Sequence, residues 1–153
     1  MGELRVSLSY LQSAAKLSVV VLEAKNLRPL TTETKSLPDA CAKVTLYDRH
    51  GKRIKRKKTN VQRTSDSPVF NEELVFELRR EAASEITIEV RLVHESLSYK
   101  EQLGSVIFGP ILHPPPRASI CPENVYWSTI LSGESLNAQW QILKPSTKSD
   151  EFK

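Results

Sequence analysis

Residues Lys52-Arg53-Ile54-Lys55-Arg56-Lys57-Lys58 carry six basic side chains in seven positions. A half-buried strand alternates apolar and polar residues so that one face reaches a core; here Ile54 is the single apolar member. Neighbouring cations repel, so the run gives the fold nothing by itself. Its natural chemistry is anion binding. Phospholipid headgroups, an acidic protein or nucleic acid would each cancel the repulsion. A solvated loop or a localisation signal is the plain alternative for a short basic run. Three features favour a binding strand. Asp48-Arg49-His50-Gly51 is a turn signal just before the run. Thr59-Asn60-Val61 extends it with strand-compatible residues. Ala42 to Tyr47 alternates as a partner strand should. Residues 42 to 61 therefore read as a β-hairpin with a basic second strand.

Other chemistries find less support. His50, His94 and His113 are isolated and lack metal-ligand spacing, and His50 reads as a turn residue beside Gly51. Gly51 lacks the second glycine of a phosphate-cradling loop. There is no Gly-x-Ser-x-Gly nucleophile elbow. A triad assembled from distant residues is the arrangement that spacing does not test; the expectation is a binding module and not an enzyme. Nucleic-acid binding would want interleaved aromatics or a groove-reading helix, and the run has neither. Cys41 and Cys121 are too far apart in sequence for a close-spaced metal pair or a disulfide framework. Cys41, between Ala40 and Ala42, reads as a small buried thiol. A reducing, cytosolic setting fits both.

The run must be held by elements, and the chain has enough of them. Its 153 residues suit one domain with a real core. At 39% hydrophobic and 26% charged it has an ordinary soluble composition. Net charge is +4 while the run alone carries +6, so the remainder is slightly acidic and the basic character marks a site. No stretch approaches the ~20 apolar residues that span a bilayer. Met1 to Tyr10 alternates where a signal peptide would have an apolar block. Val6 breaks the myristoylation pattern opened by Met1-Gly2.

Leu4, Val6, Leu8 and Tyr10 alternate with polar residues and predict a half-buried strand. Gln12 to Ala15 is a turn. Lys16 to Ala24 is nearly all β-branched or apolar and predicts a central strand with both faces covered. Lys25 to Asp39 is a long polar loop bounded by Pro29 and Pro38, of a length that is usually functional or disordered. After the hairpin, Arg63 to Asn71 reads as a loop turning at Asp66-Ser67-Pro68. Leu74 to Leu78 reads as a short strand, and Ile86 to Leu92 as an amphipathic one. His94 to Gln102 reads as a loop and Leu103 to Phe108 as a strand. Gly109 to Pro122, with Pro114-Pro115-Pro116, is too Pro-rich for regular structure. Glu123 to Ser132 is the best helix candidate, with Pro122 at its start and Gly133 after its end. Ala138 to Leu143 is a last strand. Residues 145–153 read as a disordered polar tail, and residues 1–144 as the domain. About eight short strands at regular spacing argue for an antiparallel sandwich.

With these segments in this order the chain resembles a C2 domain, and more narrowly the second, C-terminal C2 domain of an atypical synaptotagmin. Gly2-Glu3-Leu4 with Ser7-Leu8-Ser9-Tyr10 is similar to the family's opening. Leu17 to Leu27 resembles its second strand, and Gly51 to Thr59 its polybasic strand. Ser67-Pro68-Val69-Phe70-Asn71-Glu72 resembles its Pro-x-x-Asn-Glu segment. Tyr126-Trp127 and Ala138-Gln139-Trp140 resemble its closing helix and strand. The resemblance implies an eight-stranded antiparallel β-sandwich with a short helix near the C-terminus. It also implies binding of anionic phospholipid, phosphoinositide or phosphatidylserine, in vesicle trafficking or exocytosis. The expected location is the cytoplasmic face of membranes or vesicles, in a parent protein that can carry a transmembrane segment outside this chain.

Many such domains bind calcium through five loop aspartates. The ion wants six to eight oxygens, largely carboxylate, at about 2.3–2.6 Å. Asp39 matches one position. Its loop-mate falls near Thr32, Glu33 or Thr34, and the later loop offers Val93, Glu95 and Glu101. Val93 donates no oxygen, and the two glutamates are a methylene too long. The expectation is a degenerate site with no calcium and no other cofactor. The family's arginine pair before the final strand is replaced by Glu134 and Ser135.

The site residues expected to meet the anionic membrane surface are Lys52, Arg53, Lys55, Arg56, Lys57 and Lys58. Strict alternation points Arg53, Lys55 and Lys57 to one face, and Lys52, Arg56 and Lys58 to the other with Ile54. Each is worth about 1 kcal/mol near an anionic surface, so four together give roughly 4 kcal/mol, enough for millimolar to sub-millimolar recruitment. Acidic trafficking proteins of SNARE or adaptor type are the alternative partners, as is self-association; nucleic acid is not expected.

Overall fold

The computed structural model describes residues 2–31, 36–109 and 136–145, with the backbone alone at 136–139. Among the described residues eight strands and one short helix run in the order β1 (Glu3–Leu11), β2 (Lys16–Lys25), β3 (Ala40–Tyr47), β4 (Arg53–Lys58), β5 (Val69–Glu77), α1 (Arg80–Ala83), β6 (Thr87–Glu95), β7 (Lys100–Phe108) and β8 (Leu136–Ile142). They form two four-stranded sheets, ordered β5-β2-β1-β8 and β4-β3-β6-β7. Every recorded strand pairing is antiparallel. The expected antiparallel sandwich is the fold observed.

The core lies between the sheets and follows period-two alternation. Leu4, Val6, Leu8 and Tyr10 of β1 and Ala40, Ala42, Val44 and Leu46 of β3 are buried, with Ile88, Val90 and Leu92 of β6 and Phe76 of β5. The Tyr10 hydroxyl, buried at the end of its strand, donates to the Leu78 carbonyl at 2.6 Å.

Several strands depart from expectation. β2 is not covered on both faces. Leu17, Val19 and Val21 are buried, whereas Ser18, Val20 and Leu22 are half-buried. The β-branched run reflects strand preference, not burial. A bulge at Leu22, between pairs Arg5↔Glu23 and Val6↔Val21, returns Ala24 to the core. β6 departs the other way. Its polar positions Thr87, Glu89 and Arg91 are also buried. Arg91 donates to both Glu89 oxygens at 3.0 and 2.9 Å, and the Tyr47 hydroxyl donates to the same carboxylate at 3.2 Å. Each buried charge is thus met by its opposite.

Strands also run beyond the stretches that patterning assigns them. Val69 to Asn71 open β5 instead of closing a loop, and β6 and β7 extend through His94-Glu95 and Lys100-Glu101-Gln102. The connection between β6 and β7 shrinks to Ser96–Tyr99, closed by the Ser96 N–H on the Tyr99 carbonyl at 3.0 Å. The helix expected at Glu123–Ser132, most of the Pro-rich segment and the tail beyond Pro145 lie outside the described residues. So do Glu134 and Ser135. The helix observed, α1, is a single turn without a side-chain cap, too short to leave a periodic signal.

Candidate anion-binding face

The basic strand β4 is an edge strand, paired on one side to β3. The turn that delivers it is built by Asp48. Its carboxylate accepts the backbone N–H groups of His50 at 2.8 Å and Lys52 at 2.9 Å, and Gly51 supplies a φ of 82°. The Lys52 and His50 N–H groups hold the Asp48 carboxyl below its ordinary range.

Register fixes which way each cation points. Lys58, Arg56 and Arg53 lie opposite Lys43, Thr45 and Tyr47, the positions of β3 that face away from the core. Lys57 and Lys55 lie opposite core residues Val44 and Leu46. The bulge between Leu46 and Tyr47 adds Ile54 and transfers Arg53 from the face that strict alternation assigns it. Arg56 is half-buried, and its Nε donates to Thr45 Oγ1 at 3.2 Å. The other five basic residues are exposed. Lys57 reaches across to β5 of the other sheet: its ammonium donates to the Val75 carbonyl and lies 5.4 Å from the Phe76 ring centroid. Lys55, Arg56 and Lys57 make no ion pair among the described residues.

The structure adds basic residues that the linear run does not contain. Lys43 from β3 and Lys100 from β7 sit on the same outer face. Glu95 gathers them: its carboxylate lies 3.2 Å from Lys43 Nζ, 3.3 Å from Lys58 Nζ and 3.6 Å from Lys100 Nζ. Partial burial pushes the Glu95 carboxyl up, but Lys43 and then Lys58 outweigh it and hold its pKa at about 2. Beneath it, burial and the Glu95 charge raise the buried Cys41 thiol to about 11, which holds it in the protonated, unreactive form. The alternation of 42 to 47 already put Lys43 on a solvent face; Lys100 was hidden because β7 begins three residues before its apolar part.

The four degenerate calcium-loop positions are dispersed among internal partners. The Asp39 carboxylate accepts Thr64 N–H at 2.7 Å and Thr64 Oγ1 at 3.2 Å. Val93 is buried. Glu95 serves the lysines. Glu101 binds the Thr31 N–H and hydroxyl, the Tyr99 hydroxyl and, at 3.7 Å, Arg28. Thr32, Glu33 and Thr34 lie outside the described residues. Among the described residues no three His, Cys, Asp or Glu side chains converge as a metal site, and no helix is long and apolar enough to cross a membrane.

Two antiparallel four-stranded sheets with a basic edge hairpin define a C2-type β-sandwich. The family model of the C2 domain matches residues 15–114, and the chain belongs to that family. Synaptotagmin 1 of Drosophila melanogaster is 32% identical over 154 residues, which cover 99% of this chain and 30% of that protein. Synaptotagmin-12 of Mus musculus is 38% identical over 110 residues, 71% of this chain and 25% of its own length. The chain thus spans a minor part of these relatives. In fold it is similar to the crystal structure of a RIM C2 domain from Drosophila, with a TM-score of 0.66 at 21% identity over 94% of this chain and 98% of that one. The first C2 domain of human synaptotagmin XIII matches with a TM-score of 0.62 at 22% identity, covering 97% and 91%.

Proposed function

We propose that this chain is a calcium-independent C2 module that binds anionic phospholipid, phosphoinositide or phosphatidylserine, through Lys52, Arg53, Lys55, Arg56, Lys57 and Lys58. It is a binding module and not an enzyme, and it serves vesicle trafficking or exocytosis as part of a longer protein resembling an atypical synaptotagmin. One observation carries this reading: five of the six cations occupy an edge strand, all but Arg56 are exposed, and among the described residues Lys55, Arg56 and Lys57 make no ion pair. Such a strand suits an extended anionic surface. Calcium independence is supported by Asp39, Glu95 and Glu101 each being engaged by internal donors, against an ion that requires six to eight oxygens.

The place of β4 at the edge of its sheet among the described residues also favours a second reading, in which an acidic trafficking protein of SNARE or adaptor type docks there. Co-sedimentation with vesicles containing phosphatidylserine and phosphatidylinositol 4,5-bisphosphate, with calcium or chelator and at two salt concentrations, tests the choice. Salt-sensitive binding indifferent to calcium supports the lipid reading. Absence of binding in every condition transfers the strand to a protein partner.

A further inference from the structure

Three ammonium groups from three different strands converge on the Glu95 carboxylate, those of Lys43, Lys58 and Lys100 at 3.2, 3.3 and 3.6 Å. This is a built anion site that the chain fills with its own side chain. Lys43 and Lys100 also line the adjoining recess, with Thr45, Arg56 and Glu101. Resting on the lipid-binding reading above, we propose that Glu95 is a resident counter-anion that makes this face select phosphomonoester-bearing headgroups over phosphodiester ones.

The selectivity follows from charge and oxygen count. A phosphodiester offers one negative charge, as the carboxylate does. Exchanging one for the other gains nothing, and Glu95 competes from within the chain, at a high effective concentration. A phosphomonoester carries about −1.5 to −2 charges and three strong acceptor oxygens. It can offer one oxygen to each ammonium and cancel charge that a single carboxylate leaves uncompensated. Glu95 is the last residue of β6, beside the Ser96–Tyr99 connection, so its side chain can turn away without moving the sheet.

The test is equilibrium binding to two vesicle types of equal zeta potential, one containing phosphatidylserine and the other phosphatidylinositol 4,5-bisphosphate. Wild type should prefer the second. Glu95→Gln should raise phosphatidylserine binding about fivefold, the effect of returning roughly one lysine to the surface, and narrow the preference. Glu95→Asp retains the charge but shortens its reach, so it should narrow the preference in the same sense and carries the test if the glutamine variant folds poorly. Glu85→Gln, which removes a charge paired to Arg49 elsewhere, should leave the preference unchanged. If wild type binds and neither Glu95 variant alters the preference, or Glu85→Gln alters it equally, the counter-anion is overturned while the lipid reading stands. If only the Glu95 variants bind, the counter-anion stands and lipid binding by the native chain falls. If nothing binds either vesicle, both fall.

Discussion

The Glu101 carboxylate accepts the Thr31 backbone N–H at 3.1 Å and the Thr31 hydroxyl at 2.9 Å, joining the β2–β3 loop to the start of β7. The Tyr99 hydroxyl donates to the same oxygen at 2.6 Å, and Arg28 approaches the other. Partial burial pushes the Glu101 carboxyl up, but the Tyr99 and Thr31 donors outweigh it and hold it below its ordinary range. The β2–β3 loop and the first residues of β7 are thus tied by one side chain.

Glu101→Ala should therefore destabilise the domain by about 1.5–3 kcal/mol, the range for hydrogen bonds to a charged group. Urea denaturation reads this. The wild-type melting temperature should be the same in calcium and in chelator; a rise with calcium would show that the loops take the ion after all.

Lys52 and Lys55 are exposed, and no ion pair holds either side chain among the described residues. The Lys52→Ala, Lys55→Ala double variant should weaken binding to anionic vesicles ten- to thirtyfold, at about 1 kcal/mol per cation. Its stability should stay within about 0.5 kcal/mol of wild type. Equal vesicle binding by the double variant and the parent would remove these residues from the site.

Lys57 differs, because it bridges the sheets through the Val75 carbonyl and the Phe76 ring. Lys57→Ala should cost about 0.5–1 kcal/mol of stability for the cation–π contact alone. Thermal denaturation of the two sets of variants, side by side, distinguishes a structural cation from free ones.

Acid should expose the Glu95 cluster. Its carboxyl is depressed from 4.5 to about 2, so the unfolded chain takes up that proton first. The stabilisation is fully present above pH 4.5 and is lost as pH falls towards about 2. Glu95→Gln should flatten the stability curve in that window. A variant curve parallel to wild type would mean that the three lysines do not hold the carboxylate in solution.

Tyr10→Phe should destabilise by about 1–2 kcal/mol, because it removes a buried hydrogen bond and strands the Leu78 carbonyl. Chemical denaturation provides the measurement.

Period-two patterning made the sandwich legible: Leu4 to Tyr10 and Ala42 to Tyr47 announced their buried faces directly. Polar residues concealed the rest. His94, Glu95 and Lys100 to Gln102 looked like loop because strands extend beyond their apolar stretches at a solvated end. The basic strand was visible as a run, but its partners Lys43 and Lys100 are 57 positions apart, and only pairing of β3 with β6 and β6 with β7 brings them to one carboxylate. Arg53 lies on the face opposite to the one strict alternation points to because one bulge shifts the register, and a bulge leaves no mark in the spacing of a strand made almost wholly of cations.

Among the described residues β4 pairs on one side only, with a consequence for how copies of the domain behave together. An unpaired strand edge is a template for another strand. Two copies meeting along β4 would bring their basic side chains together, five from each strand, across a gap of about 4.8 Å. That repulsion opposes such pairing. A polyanion that coats the strand would lift the barrier, so an anionic surface that recruits the domain as proposed would also be the place where its solubility is least protected.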